Sequence, residues 1–199
     1  AGNDFSSATR NEERAERKAE DGNPLYAAAV KLFGTKTPVV GAIQGAAVGG
    51  GFGLAVMPDF RVVCPEARFT ANFVKLGFHP GFGLTHTLPR LIGQQKASML
   101  FLTGRRISGQ EAFDIGLADI ITDKENLRAE AIKLAAEIAE NAPLAVVSVR
   151  ATMREGIQEA VKNQTDHEGR EQHRLQQTAD HREGVKAVGE RRPGNFIGA

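Results

Sequence analysis

Residues 38–59 read PVVGAIQGAAVGGGFGLAVMPD, and this stretch decides the fold. Val39, Val40 and Ile43 make a β-branched run of the kind that packs in a buried strand. Gly45 follows, then three consecutive glycines, Gly49, Gly50 and Gly51. Leu54 to Met57 is apolar and Pro58 stops it. The predicted order is strand, glycine turn, helix. The first N–H groups of such a helix have no intrahelical partner and carry the positive end of the helix dipole. Glycine lets a ligand oxygen approach them because no Cβ stands in the way. A tight helix–sheet packing turn is the alternative reading of the same three glycines.

Two phosphate-binding motifs are excluded. No Lys-Ser or Lys-Thr follows the glycines, so there is no Walker-type loop. Counting from Gly51 and Gly53, the third position of G-x-G-x-x-G is Val56, which argues against a dinucleotide cofactor. The turn can instead hold an oxyanion: each backbone donor aimed at a developing carbonyl oxyanion contributes about 3–4 kcal/mol.

Working outward, 199 residues suit one domain, or a domain with a helical appendage, and a hydrophobic content of 41% is enough for a core. A net charge of +1 without a basic stripe argues against nucleic acid as a partner. The single cysteine, Cys64, excludes an internal disulfide framework and suits a reducing compartment. No signal-peptide pattern opens the sequence. The longest apolar run, about Gly45 to Met57, is too short and glycine-rich to span a bilayer. A cytoplasmic protein with no membrane partner is the expectation.

Ser6 to Asn23 is polar and charge-rich and reads as a loop or a solvated helix. Pro24 to Phe33 has proline at a helix start and apolar residues at helical spacing, with Gly34 at its end. After the glycine turn, Phe60–Cys64 and Arg68–Ala71 read as short strands, and Asp59 as a structural partner for nearby backbone or Arg61. Phe73–Gly83 reads as a loop. Helices are predicted over Leu84–Ile92, Gln95–Leu102 and Gly109–Ile115, the last capped by a Ser108/Glu111 box. Ala118–Thr122 returns as a strand. Leu127–Ala139 places Leu127, Ala131, Leu134, Ala135 and Ile138 on one face. Further helices start at Pro143, cover Glu155–Ala179 and end with His181–Arg191.

The matching residues of a known pattern run along the whole chain. They are Ala1-Gly2-Asn3-Asp4-Phe5, Ala42-Ile43-Gln44-Gly45, Gly49-Gly50-Gly51, Asp59-Phe60-Arg61, Ala67-Arg68-Phe69, Leu76-Gly77 and Pro80-Gly81. Leu88-Pro89-Arg90 with Gly93, Thr103-Gly104-Arg105, Ile107-Ser108, Glu111-Ala112, Gly116-Leu117-Ala118 and Glu190-Arg191-Arg192-Pro193 continue it. Each motif is weak alone; in this order and spacing the chain resembles the crotonase (enoyl-CoA hydratase/isomerase) superfamily.

The resemblance implies an α/β fold of the crotonase-like (ClpP/crotonase) class. Residues 1–125 would form the ββα spiral core and 126–199 a C-terminal helical trimerisation region. It implies further that strands and a helix of the family pattern precede residue 1, so that the sequence is a fragment. An acyl-CoA substrate is implied, with coenzyme A as part of the thioester and no bound cofactor, and a homotrimer or a hexamer built as a dimer of trimers. The oxyanion hole would be the N–H groups of Ala1 and Gly50, beside Gly49. Arg191 matches a basic position that contacts the adenine nucleotide; a surface arginine is the alternative.

The same resemblance places the two hydratase glutamates at Gly53 and Phe73, and a dehalogenase aspartate at Gly81. None of the three can carry a proton or attack, so the acid–base pair and the nucleophile are missing. His79, beside Pro80, is the remaining candidate for proton transfer, with a loop histidine held against Pro80 as the alternative. His86 reads as a half-buried helix histidine, and Asn72 just precedes Phe73. His167, His173 and His181 read as solvated, and Glu168 and Glu171 as surface ion-pair partners of Arg170 and Arg174. No His/Cys/Asp cluster has metal-ligand spacing. Phe73 would make the acyl end apolar and favour a bulky or aromatic acyl group. Two functions follow: an acyl-CoA enzyme that stabilises a thioester enolate, or a catalytically silent acyl-CoA-binding or scaffold protein of the same fold.

Overall fold

The computed structural model describes residues 24–199. Strand β1 (Val40–Ile43) is followed after the Gln44-Gly45 bend by β2 (Ala46–Val48), then by helix α2 (Gly50–Val56). The next pair, β3 (Phe60–Val63) and β4 (Arg68–Thr70), repeats the pattern. Val40 pairs with Phe60 and Ala46 with Arg68, both in parallel register, so each repeat lays one strand on each of two sheets. One sheet has the order β1-β3-β6, with β6 at Ile120–Ile121. The other has the order β2-β4-β5, where β5 (Arg106–Ser108) runs antiparallel. Parallel neighbours require a crossover, and α2 supplies it between the first repeat and the second. The sequence predicts one strand before the glycines and the structure has two, because three residues, Ala46–Val48, are too few to show a period.

Helix α1 (Pro24–Phe33) buries Tyr26, Ala29 and Phe33. The segment expected as a loop starts with a 3₁₀ turn, Asn72–Leu76, closed by Gly77 in the left-handed region at φ 69°. Its buried residues, Phe73 and Leu76, stand three apart and share one side of a three-residue turn. Then come α3 (Leu84–Ile92), α4 (Gln94–Thr103) and α5 (Gly109–Asp114), the last with the predicted Ser108/Glu111 capping box. Four helices complete the chain: α6 (Leu127–Ala139), α7 (Pro143–Met153), α8 (Ile157–Gln176) and α9 (Ala179–Gly189). Helix α8 lies on α1 and α3, and α9 lies on the 3₁₀ turn.

The main core gathers around Phe52, Val62, Val63, Phe69, Leu84 and Leu88. A smaller one holds Tyr26, Ala29, Phe33, Met57, Phe82 and Val161, where α8 meets α1 and the start of α3. No helix among the described residues is long and apolar enough to cross a membrane.

Candidate active site at the glycine turn

Gly49 adopts φ 56° and ψ −119°, a conformation that a Cβ disfavours, and so turns the chain from β2 directly into α2. The turn is pinned from both sides. Gly49 N–H donates to the Thr70 carbonyl on β4 at 3.0 Å, and the Gly49 carbonyl accepts from Phe52 N–H and Gly53 N–H at 2.9 and 3.2 Å. Gly50 and Gly51 are the first two residues of α2, and among the described residues their N–H groups make no backbone hydrogen bond. Two donors are thus left at the positive end of the helix, as the sequence predicts.

Among the described residues, two aromatic rings and one amide oxygen lie nearest to Gly49 and Gly50. The nearest side-chain atoms to a Cβ placed on Gly49 would be those of the Phe73 ring at 3.7 Å and Asn72 Oδ1 at 4.0 Å; on Gly50, the Phe82 ring at 3.8 Å. A Cβ on Gly53 would stand 2.5 Å from three carbons of Phe82, so the ring occupies the space a side chain at 53 would need. Phe73 is buried and meets Phe78 edge to face at 5.6 Å. At Gly81 a Cβ would collide with the Tyr26 hydroxyl and approach Gln172 Nε2 at 2.6 Å. Each of the three positions that lacks a carboxylate is therefore packed against a ring. Phe82 carries no motif signal; the short side chain at Gly53 is the only sequence sign of what fills its place.

Phe82 has φ 67°, in the left-handed region that a bulky residue rarely enters, and Gly83 follows it there at φ 69°. Helix α8 holds this turn. Glu168, 0% exposed, accepts from Gly83 N–H at 2.7 Å, from Thr85 N–H at 3.1 Å and from the Thr85 hydroxyl. Gln164 Nε2 donates to Thr85 Oγ1 at 2.8 Å, and Gln172 Nε2 to the His79 carbonyl at 2.9 Å and to Tyr26 Oη at 3.1 Å. Burial pushes the Glu168 carboxyl up to about 7, against the opposing pull of its bonds to Thr85 and Gly83. The reading of Glu168 as a surface ion-pair residue is corrected: α8 is polar on the face that meets the turn, where backbone N–H groups need acceptors, so hydropathy hides its buried side. Glu171, by contrast, does pair on the surface with Arg174 at 2.7 Å.

His79 is half-buried; its Nδ1–H donates to the Pro80 carbonyl at 2.9 Å, and its ring meets His167 edge to face at 5.9 Å. Its resolved partners are thus Pro80 and α8, while the ring beside Gly50 is that of Phe82. His86 is half-buried on α3, where burial pushes its pKa down, with the nearby Arg90 adding to the effect. His181 is corrected from solvated to packed: its ring meets Phe78 at 5.3 Å and Nδ1 bonds the Leu76 carbonyl at 2.7 Å. Arg191 stands exposed in the turn after α9, at φ 56°. Ala1 lies outside the described residues. A cavity of about 780 Å³ opens at the other end of α2, lined by residues that include Pro58, Asp59, Phe60, Val149 and Met153. Among the described residues no cluster of three or more His, Cys, Asp or Glu could hold a metal ion.

The family model for enoyl-CoA hydratase/isomerase matches residues 1–199. The chain belongs to the enoyl-CoA hydratase/isomerase family, and its fold is the crotonase fold. It is 39% identical over 160 residues to a crotonyl-CoA hydratase of Syntrophomonas wolfei, covering 80% of this chain and 62% of that protein. A short-chain-enoyl-CoA hydratase of Clostridium acetobutylicum is 38% identical over 121 residues, 61% of this chain and 46% of the relative. Among solved structures, an enoyl-CoA hydratase/isomerase from Pseudoalteromonas atlantica superposes with a TM-score of 0.78 at 31% identity, covering 84% of this chain and 68% of the other. An enoyl-CoA hydratase from Bacillus anthracis gives 0.68 at 33%, covering 94% and 74%. The chain thus spans less than two thirds of the length of the two curated relatives.

Proposed function

We propose that the protein processes an acyl-CoA thioester, holding the thioester oxygen at the Gly50 N–H, with Ala1 N–H as the second donor, and stabilising the enolate that forms there. One observation carries this reading. The first N–H groups of α2 are left without backbone partners among the described residues, inside a ring-lined setting of Phe73 and Phe82. In such low-polarity surroundings two fixed dipoles act more strongly on a developing charge than they would in water. Gly49 sets the turn, and Phe73 forms the apolar wall against which a bulky or aromatic acyl group would lie.

Addition of water across an enoyl double bond is not the reaction this site favours. Hydration needs carboxylates to activate and deliver the water, and positions 53 and 73 offer Gly53, filled by Phe82, and Phe73. Decarboxylation, thioester hydrolysis or retro-Claisen cleavage makes smaller demands on positioned carboxylates. His79 is the candidate proton carrier: Nδ1 is bonded to the Pro80 carbonyl, which leaves Nε2 as the ring nitrogen for the substrate. Arg191 is the candidate contact for the nucleotide, and Gly81 lines the acyl side. The exposed apolar residues Ile132, Leu144, Val149 and Met153 support a trimer or hexamer in which residues 126–199 meet a neighbouring subunit.

The test is turnover of crotonyl-CoA by the full-length protein, which should stay near the uncatalysed background. Hydration at a rate typical of hydratases would overturn the reading of positions 53 and 73. The same double loss favours the second reading, a silent acyl-CoA-binding or scaffold protein. Calorimetry with CoA thioesters separates the two from a chain that does not bind them at all, and product analysis after long incubation separates enzyme from binder.

A further inference from the structure

Glu168 is the one fully buried carboxylate among the described residues, and neither the glycine turn nor the hydratase positions require it. Its bonds go to a specific place. Gly83 N–H belongs to the peptide that joins Phe82 to Gly83, the two consecutive residues with left-handed φ. Thr85 N–H and hydroxyl fix the first turn of α3 to the other carboxylate oxygen. Freed from this acceptor, Phe82 would relax toward negative φ, where aromatic residues ordinarily sit. Its ring would then leave Gly53 and Gly50.

We propose that Glu168 is a positioning residue for the glycine-turn site: its carboxylate fixes the Phe82–Gly83 peptide and so presses the Phe82 ring over Gly53 and beside Gly50. The inference rests on reading that turn as the thioester site. The carboxylate form is required for all three bonds. An ionised carboxylate accepts at both oxygens, whereas a protonated one turns one oxygen into a donor and cannot serve both Gly83 N–H and Thr85 N–H well.

No charged side chain among the described residues compensates Glu168. Helix α1 presents Tyr26, whose hydroxyl is bonded to Gln172; α3 presents Thr85 and, one residue on, His86, which lines the separate cavity. The 79–83 loop presents His79, turned to Pro80 and His167. On α8 itself Lys162 pairs with Asp166 and Arg174 with Glu171, and Arg170 has no bond to Glu168. The carboxyl therefore changes charge near neutral pH, in step with its displacement to about 7.

These residues offer a reporter that needs no substrate. Tyr26 is the one tyrosine of the 199 residues, which hold no tryptophan, and its ring meets Phe82 edge to face at 6.2 Å. In the full-length protein the Tyr26 band of near-UV circular dichroism, assigned by difference from Tyr26→Phe, should change with a midpoint near pH 7 while the far-UV spectrum stays constant. Butyryl-CoA, followed by calorimetry, should bind about fivefold more weakly at pH 6 than at pH 8. Glu168→Gln should abolish the tyrosine step, and His79→Asn should leave it in place. Thr85→Val, which keeps the N–H but removes the hydroxyl donor, should raise the midpoint by about one pH unit and carries the test should Glu168→Gln fail to fold. A tyrosine step that persists in Glu168→Gln, a midpoint unmoved by Thr85→Val, or no step at all overturns the proposal. If butyryl-CoA fails to bind at any pH while the tyrosine step depends on Glu168, the positioning stands and the thioester reading falls.

Discussion

At its C-terminal end α2 runs into three arginines and two carboxylates; at its N-terminal end it meets Phe73, Phe82 and the amide of Asn72. Arg61, 2% exposed, donates to the carbonyls of Val56, Pro58, Asp59 and Leu117, and its own N–H is bound by Asp119. Asp59 accepts from Val39 N–H at 2.8 Å, Arg150 Nε at 2.9 Å and Arg154 Nη1 at 2.9 Å, and Arg150 reaches the Thr35 carbonyl as well. Cations on the last carbonyls of a helix also complement its dipole. The charge-rich end ties both carboxylates and most of its guanidinium nitrogens within the protein, with Arg150 Nη2 and Arg154 Nε left over, while the charge-poor end leaves backbone donors without a backbone partner among the described residues. Paired charge marks one end of this helix, and backbone N–H groups in place of side-chain charge mark the end proposed to hold the thioester.

Removing a charge from the charge-rich end should have the largest effect. Asp59→Ala leaves Arg150 and Arg154 enclosed without their carboxylate and orphans Val39 N–H, a change that costs about 3–5 kcal/mol. Urea unfolding followed by far-UV circular dichroism should show a large drop in midpoint, or no folded state. At the other end the expected fault is crowding. Gly53→Ala drives a methyl into Phe82 and should cost about 1–3 kcal/mol. In a Phe82→Gly background, which removes the ring and suits φ 67°, most of that penalty should vanish, giving a coupling of about 0.5–3 kcal/mol in a double-mutant cycle. Additive effects would mean that Phe82 does not fill the space at 53, and the contrast between the two ends would fail.

The two ends are unequally legible in the sequence. Gly49–Gly51 is legible because only glycine combines that backbone with an open approach, and Ser108/Glu111 because a capping box has fixed spacing. Asp59 is legible as structural, yet its partners Arg150 and Arg154 lie more than ninety residues away on another helix, and no local pattern announces them. A separation of 83 and 85 residues from Thr85 and Gly83 hides Glu168, which sits among Asp166, His167, Arg170 and Glu171 and looks like any solvated run. His181 misleads similarly: a histidine at the start of a charged helix is packed because Gly77 and Gly184 let α9 come down on the 3₁₀ turn. Periodicity reports which residues are apolar. It is silent on a helix whose inward face is polar because it serves backbone N–H groups.

Glu171 provides the smallest expected effect and the sharpest control. Its bond to Arg174 is 2.7 Å, shorter than either bond from Asp59 to an arginine, so distance alone would rank it as the stronger pair. Arg174 is exposed and Glu171 half-buried at the surface, and the Arg174 bond holds the Glu171 carboxyl below its ordinary range. A lowered folded-state pKa stabilises above the unfolded value and is lost as pH falls through the folded one; at neutral pH the pair is fully formed, yet screened. Glu171→Ala should leave the urea midpoint at pH 7 unchanged within error. Glu168, three residues earlier, has the opposite sign: the folded chain keeps a proton that the unfolded chain has lost, so its contribution falls as pH rises from about 4.5 to about 7. Unfolding midpoints taken across pH 5–7 should therefore flatten in Glu168→Gln and keep their wild-type slope in Glu171→Ala. A Glu171→Ala protein as damaged as Asp59→Ala would show that bond length, not enclosure, decides what a charge is worth here.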